Sequence, residues 1–121
     1  MKIAVIPLIL AFLLSTPTLS ESAQSNGEIA SWYGGGEKLN KHTANGDVFD
    51  PHDLTCASWY HPFDTHLKVT NLSNGKSVVV RVNDRGPNKR LGRAIDLSRE
   101  AFRKIANLNN GLIEVKIEQI G

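Results

Sequence analysis

The sequence predicts a small, mainly β domain in which short strands close into a barrel and one short helix packs on its flank. Three observations support this fold class. Apolar and polar residues alternate in several short segments, turn-forming residues separate those segments, and only one stretch shows helical spacing. Short strands in a domain of about 100 residues leave exposed edges unless the sheet closes, so a closed barrel is expected.

The first predicted strands are bounded by residues that break regular structure. Residues 28–33 alternate and then meet Gly34-Gly35-Gly36, which opens a loop that extends to about Lys41. Residues 43–47 form a turn in which an Asn-Gly pair can adopt positive φ. A second short strand is expected within 54–59, ahead of Pro62.

The second half of the chain contains the clearest local signals. Segments 65–72 and 76–83 flank Ser73-Asn74-Gly75 and predict a hairpin. Ser98 is a suitable N-cap for a helix that runs to about Ala106. The apolar stripe expected for this helix consists of Leu97, Ala101, Ile105 and Leu108. Residues 113–118 alternate again, which predicts a closing strand with one wet face.

The first 20 residues have the three-part layout of a secretory signal peptide. Met1-Lys2 is positively charged, Ile3 to Leu14 is apolar, and Ser15 to Ser25 is small and polar. The apolar run is too short to span a bilayer comfortably. We expect cleavage after Ser20, export to the periplasm or the cell exterior, and one domain over 21–121. Because no Cys lies near this cut, no lipid anchor is expected.

The charge balance argues against one class of partner. The chain has 14 basic and 12 acidic residues, and loss of residues 1–20 removes Lys2 and no acid, which leaves 13 against 12. An exported domain that is nearly neutral is not expected to bind nucleic acid. Basic residues do cluster between Arg81 and Lys104, which favours an anionic wall polymer or membrane surface, or else a solvated face. We expect a monomer.

Cysteine and histidine usage limits the chemistry further. Cys56 is the only cysteine, so no internal disulfide can form and the core must hold the fold. A small buried thiol is a more common state for such a residue than a nucleophile. The four histidines lack the spacing of metal ligands, and neither a metal nor another cofactor is expected.

One segment carries the strongest signal for a catalytic group. A run of valines leads to Asp84, and Gly86-Pro87 then ends the strand. By the two-residue period, Val80, Val82 and Asp84 share one face, which would place the carboxyl group at the rim of the core. That position suits a catalytic acid, which needs an apolar side and an open side. A turn cap before Gly86 is the alternative role.

Several separated blocks of this chain together resemble the rare lipoprotein A family of septal-ring lytic transglycosylases. Their order and spacing match from Gly27 nearly to the C-terminus, and the Asn-Asp-Arg-Gly-Pro block is the most specific. The blocks are Ala30-Ser31-Trp32-Tyr33-Gly34, Thr43-Ala44-Asn45-Gly46, Val69-Thr70-Asn71-Leu72, Asn74-Gly75, Val82-Asn83-Asp84-Arg85-Gly86-Pro87 and Ile95-Asp96-Leu97-Ser98. The resemblance implies a six-stranded double-psi β-barrel, the fold shared with expansins and family-45 endoglucanases. The C-terminal wall-binding repeat domain that many members carry is not expected in this chain.

The resemblance also implies cleavage of peptidoglycan glycan strands without water. An acid protonates the oxygen between N-acetylmuramic acid and N-acetylglucosamine, and the muramic C6 hydroxyl closes onto the anomeric carbon. Asp84 matches the family's catalytic aspartate and could act first as acid and then as base. Arg85 would grip a substrate carboxylate or carbonyl, whereas Arg81 should point away by strand parity.

Two more acids and one substitution complete the implied catalytic set. Asp96 lies in an Asp-Leu-Ser setting that resembles the segment of the catalytic acid in expansins and family-45 enzymes, and it could equally begin the helix. Asp47 stands where the transglycosylases usually have Glu. Ser58 stands in place of the family's active-site histidine. His61 follows three residues later and would face the other way in a strand.

Aromatic and polar residues of the matched blocks are the expected substrate contacts. Trp32-Tyr33 and Trp59-Tyr60 are adjacent pairs, so in a strand one ring of each pair faces inward. The first pair matches a family block and is the preferred sugar-binding pair. The other predicted substrate contacts are Thr43, Asn83, Arg85 and Ser58.

Three functions follow from these observations. An exported endolytic transglycosylase is favoured by the matched blocks. A non-catalytic, expansin-like module that binds wall polysaccharide is favoured by Ser58 in place of histidine. A secreted inhibitor or effector on the same barrel is favoured by the small size of the domain and by the loop at 34–41.

Overall fold

Six strands and one α-helix form from residues 27–121, the part of the chain that the computed structural model describes. The elements are β1 (Glu28–Tyr33), β2 (Thr55–Ala57), β3 (His66–Asn71), β4 (Ser77–Asp84), β5 (Ile95–Ser98), α1 (Arg99–Ile105) and β6 (Ile113–Gln119). Short 3-10 turns occupy Lys89–Leu91 and Leu108–Asn110. The expected signal peptide at residues 1–20 lies outside the described residues.

The strands close into a barrel in the order β1-β5-β2-β4-β3-β6. β1 runs parallel to β5 and β2 runs parallel to β4, whereas the other neighbours are antiparallel. The predicted six-stranded barrel with one flanking helix is therefore confirmed. No helix within residues 27–121 is long and apolar enough to cross a membrane.

Small and branched apolar side chains fill the barrel. Val80 and Val82 of β4 and Leu97 of β5 are fully buried, and Phe102 of α1 joins the same cluster. Cys56 of β2 also lies in this cluster, where burial raises the pKa of its thiol to about 12. The prediction of a buried thiol is confirmed. Because a protonated thiol inside the core is a poor nucleophile, Cys56 has a packing role.

The strand Ile95–Ser98 is the element that sequence reasoning missed. Its four residues read as the approach to a helix, but the backbone pairs with both β1 and β2. Asp96 therefore lies in the middle of a strand, so its alternative role at the start of the helix was wrong.

Ser98 links β5 to α1 in the way its sequence position predicts. Its hydroxyl oxygen accepts a hydrogen bond from Ala101 N at 3.3 Å and its hydroxyl donates to Asp53 O at 2.6 Å. The N-cap prediction is confirmed. The helix buries Ala101, Phe102 and Ile105, which fixes the carboxyl end of β5 against the core.

Candidate active site

A cavity of about 550 Å³ opens on the wall of the barrel beside β2, β4 and β5. Its size falls within the range typical of small-ligand sites. The lining includes Tyr33, His42, Thr43, Phe49, Ala57, Trp59, Asp84 and Asp96. The cavity thus gathers residues from the family blocks, which lie far apart in the sequence.

Four residues lie in register beside this site, and three of them, Ala57, Asp84 and Asp96, line the cavity. Ser31 pairs with Asp96, Asp96 with Ala57, and Ala57 with Asp84, across β1, β5, β2 and β4. Neighbouring strands lie about 5 Å apart, so the backbones that carry the two aspartates are separated by about 10 Å. Ala57 fills little of the space between them. The row therefore presents two carboxyl groups with room for a ligand above a small side chain.

A β-bulge brings Asp84 into this row. Cys56 pairs with Val82, but the next residue, Ala57, pairs with Asp84, so Asn83 is the extra residue of β4. Strict alternation placed Asp84 on the same face as the core valines. That parity argument was wrong, because the extra residue realigns Asp84 with Ala57 at the cavity.

Three donors hold the Asp84 carboxyl group. Ala44 N and Arg85 N each donate to Asp84 Oδ1 at 2.9 Å, and the Tyr33 hydroxyl donates to Oδ2 at 3.2 Å. The carboxyl group is half-buried and lines the cavity. Its orientation is consequently fixed by the turn at 43–47, by the end of β4 and by β1.

Asp96 has a different environment in the same cavity. The Ser31 hydroxyl donates to Asp96 Oδ1 at 2.5 Å. Burial raises the pKa of Asp96 above its ordinary value, and the charges of Glu37 and Asp84 act in the same direction, against the Ser31 bond and Arg93. Asp96 is therefore the carboxyl group whose surroundings favour the protonated form.

Asp47 lies outside the cavity lining. Arg81 donates to Asp47 Oδ2 at 3.0 Å, and its other terminal nitrogen binds Asp64. The hydrogen bond from Arg81 is the main cause that lowers the pKa of Asp47, with Asn45 and Asn83 acting in the same direction. These contacts make Asp47 the ion-pair partner of Arg81, and Asp47 does not line the cavity with Asp84 and Asp96.

Asn83 is also removed from the expected substrate surface. It is 3% exposed, and its amide nitrogen donates to Asp47 Oδ2 at 3.3 Å. Thr43 does line the cavity, although it is largely buried and donates to Asn45 Oδ1. Of these two predicted contacts, the structure brings only Thr43 to the site.

Ser58 and His61 meet, contrary to the parity argument. Ser58 Oγ and His61 Nδ1 are 3.1 Å apart, because residues 58–61 form a bend rather than a strand. Tyr60 N also donates to Ser58 Oγ. Ser58 is 2% exposed and lies outside the cavity lining, so the predicted contact of its side chain with substrate is not what the structure shows.

One terminal nitrogen of the Arg85 guanidinium group binds two backbone carbonyl groups. This nitrogen donates to Ser58 O at 2.7 Å and to His61 O at 2.8 Å, and the group lies 3.9 Å from the centre of the Phe63 ring. These contacts tie the bend at 58–61 to the residue after Asp84. Arg85 also lines the cavity, so its grip on a substrate carboxylate stays a prediction.

The rings of Trp32 and Tyr33 point to opposite sides as predicted, so only one of the pair reaches the cavity. Trp32 packs against Phe102 and donates from its indole nitrogen to Leu108 O, on the helix side of β1. Tyr33 lines the cavity, but its ring stacks on Phe49 at 4.7 Å. Trp59 lines the cavity as well, is 42% exposed, and is anchored by a bond to Pro87 O. Trp59, rather than Trp32, is the ring available to a sugar.

His42 is a cavity residue to which the sequence assigned no role. The useful signal was its position directly before the matched block at 43–46, which places it beside the turn that holds Asp84. Residues 27–121 contain no group of three or more His, Cys, Asp or Glu side chains arranged to hold a metal ion.

The fold defines the class of this protein as a six-stranded double-psi β-barrel. Two solved structures share it over nearly four-fifths of this chain. A Streptomyces papain inhibitor has a TM-score of 0.61 at 22% identity, covering 78% of this chain and 93% of that one. A Clavibacter michiganensis expansin variant in complex with cellohexaose has a TM-score of 0.62 at 23% identity, covering 79% of this chain and 50% of that one.

Sequence similarity defines the family. Residues 25–117 match the family described as Lytic transglycolase. The endolytic peptidoglycan transglycosylase RlpA of Campylobacter jejuni is 44% identical over 107 residues, covering 87% of this chain and 38% of that protein. The Vibrio cholerae protein of the same name is 49% identical over 92 residues, covering 75% of this chain and 34% of that protein. The chain belongs to this family, as its sequence blocks predict, and spans about a third of the length of these two relatives.

Proposed function

We propose that this chain is an exported endolytic lytic transglycosylase that cleaves peptidoglycan glycan strands. The observation that carries the proposal is the Asp84 carboxyl group, which three donors orient at the wall of a cavity that also contains Asp96 and Trp59. The peptidoglycan transglycosylase names of the relatives support the same substrate class.

The proposed reaction proceeds in two proton transfers. Asp84 donates its proton to the oxygen that bridges N-acetylmuramic acid and N-acetylglucosamine, and the bond from that oxygen to the muramic anomeric carbon breaks. The muramic C6 hydroxyl then attacks the anomeric carbon and returns a proton to Asp84. The products are a 1,6-anhydro-muramic end and a free N-acetylglucosamine 4-hydroxyl, so the acid is regenerated and no water is consumed.

Asp96 is the second carboxyl group that could supply the proton. Its raised pKa favours the protonated form that a general acid needs. Trp59 offers an aromatic face at the rim, where a pyranose ring can stack. We therefore assign Asp84 and Asp96 to the reacting centre and Trp59 to substrate binding.

The test uses purified protein without residues 1–20 and isolated glycan strands. We expect anhydro-ended products by mass spectrometry from the wild type, and Asp84→Asn should lower turnover by about 100-fold or more while glycan binding and fold are kept. Asp53→Asn is the matched control, because this exposed residue lies outside the cavity lining. Equal turnover in the wild type and Asp84→Asn would exclude Asp84 as the acid, and the same assay on Asp96→Asn then tests the second carboxyl group.

A non-catalytic wall-binding module is the second candidate. Its specific support is Ser58, which replaces the family's histidine and lies buried against His61. Retention of glycan strands by the wild type without any anhydro product would favour this module over the enzyme.

Export and the monomeric state belong to the same proposal. The signal-like pattern of residues 1–20 supports export, and recovery of a protein that begins at residue 21 outside the cytoplasm would test it. Size-exclusion chromatography with light scattering tests the monomer.

A further inference from the structure

We propose that Tyr33 is a positioning residue that fixes the direction in which Asp84 presents its proton, and that its ring is not a sugar-stacking surface. The inference rests on the proposed function, because it assigns Tyr33 a part in the same proton transfer. It reverses the expectation that Tyr33 contacts the substrate through its ring.

The hydrogen bonds of Asp84 leave one place for the proton. A carboxyl group has about two acceptor sites on each oxygen. Ala44 N and Arg85 N both donate to Oδ1 at 2.9 Å, so that oxygen is saturated. The Tyr33 hydroxyl occupies one site of Oδ2 at 3.2 Å. The transferable proton therefore resides at the remaining site on Oδ2. Asp84 lines the cavity, where this proton can reach a substrate.

The phenol is held in place with its hydroxyl group protonated, so that it can donate to this carboxyl group. Its ring stacks on Phe49 with a centroid distance of 4.7 Å and an interplanar angle of 18°. The face of the ring that packs on Phe49 is not free for a pyranose ring, and the stack fixes the direction of the hydroxyl group. Burial, followed by the charge and the hydrogen bond of Asp84, raises the pKa of Tyr33, which keeps the hydroxyl protonated.

The bond from Tyr33 should strengthen during the reaction. When Asp84 releases its proton, negative charge develops on the carboxyl group, and hydrogen bonds to a charged acceptor are stronger than bonds to a neutral one. Tyr33 therefore stabilises the transition state more than the ground state, which predicts an effect on kcat and little effect on KM.

Tyr33→Phe tests this assignment, because it removes the hydroxyl and keeps the stacked ring. We expect kcat on glycan strands to fall about 10- to 100-fold with KM unchanged. Tyr60→Phe is the matched control, because it makes the same chemical change at a tyrosine that is 68% exposed and outside the cavity lining. A raised KM at unchanged kcat would show that Tyr33 is a sugar contact and would overturn the proposal, as would unchanged kinetics.

A second measurement does not depend on activity. In urea unfolding, Tyr33→Phe should lower the folding equilibrium constant about 3- to 10-fold in the wild type and leave it unchanged in an Asp84→Ala background. Equal effects in both backgrounds would show that the Tyr33–Asp84 contact contributes nothing and would overturn the proposal. If the wild type releases no anhydro product, the proposed function fails, and this unfolding cycle alone decides whether Tyr33 holds Asp84.

Discussion

At the scale of single residues, the two carboxyl groups of the cavity differ in the donors that hold them. Asp84 accepts three hydrogen bonds, two of them from backbone N–H groups, whereas Asp96 accepts one from Ser31. Burial raises the pKa of Asp96 in spite of that bond. The chemistry follows from the donors near each acid rather than from the acid alone.

The raised pKa of Asp96 predicts how stability depends on pH. The folded state binds the proton of Asp96 more tightly than the unfolded chain does. In the unfolded chain the pKa of this group is near 3.8. The stabilisation from neutral Asp96 is therefore complete below that value and is lost as pH rises through the folded pKa. We expect Asp96→Asn to gain in relative stability over the wild type from acid to neutral pH, measured by urea unfolding across that range.

Asp47→Asn is the control with the opposite sign. The folded pKa of Asp47 is lowered, chiefly by Arg81, so its stabilisation is present above 3.8 and is lost as pH falls through the folded pKa. This variant should be slightly destabilised at neutral pH and equal to the wild type in acid, since exposed ion pairs contribute little. If the stability of Asp96→Asn and of Asp47→Asn, each relative to the wild type, changed with pH in the same direction, the opposite pKa shifts assigned to Asp96 and Asp47 would be contradicted.

At the scale of elements, alternation in the sequence located five strands and the helix but could not locate the bulge. The valines of β4 clearly define the inward face of the strand. The sequence contains no signal that Asn83 is the extra residue of a bulge. Similarly, β5 is too short to show a period. The site depends on both the bulge and β5. The sequence therefore identified several residues of the site, but it assigned some of them to the wrong face of their strand.

The junction of β5 and α1 carries an element-scale prediction. Ser98 is fully buried and makes two hydrogen bonds through its hydroxyl, one that caps α1 and one to Asp53 O. Ser98→Ala should lower the free energy of unfolding by about 1–3 kcal/mol, since a helix cap and the hydrogen bond to Asp53 O are both lost. Ser77→Ala, on the exposed start of β4, is the control and should change stability little.

At the scale of the whole molecule, closure of the barrel explains what local patterns could not predict. Ser58 reaches His61 because the chain bends after β2 to pass the end of β4, where Ser58 N donates to Asp84 O. Trp32 packs on Phe102 because the folded barrel carries α1 against that face of β1. These positions depend on neighbours that are distant in the sequence, so no short window of residues contains them.

Cys56 reports on the integrity of the whole barrel. The thiol is fully buried between β4 and β5 and its pKa is raised to about 12, so a thiol reagent should react only after global opening. We expect the labelling rate to follow the unfolding equilibrium as urea increases. A cysteine placed at the exposed Ser73 by Ser73→Cys is the control and should react at once. Rapid labelling of native Cys56 would contradict a closed barrel.

The hydrogen bonds around the two acids join parts of the chain that are made at different times. Tyr33 and Asp84 are 51 residues apart, Ala44 and Asp84 are 40 apart, and Ser31 and Asp96 are 65 apart. β6, the last strand, completes the ring by bonding to both β1 and β3. A chain without β6 therefore carries Tyr33, Asp84 and Asp96 but lacks the closed barrel that holds them together, so the proposed transglycosylase activity would begin only after synthesis and folding are complete.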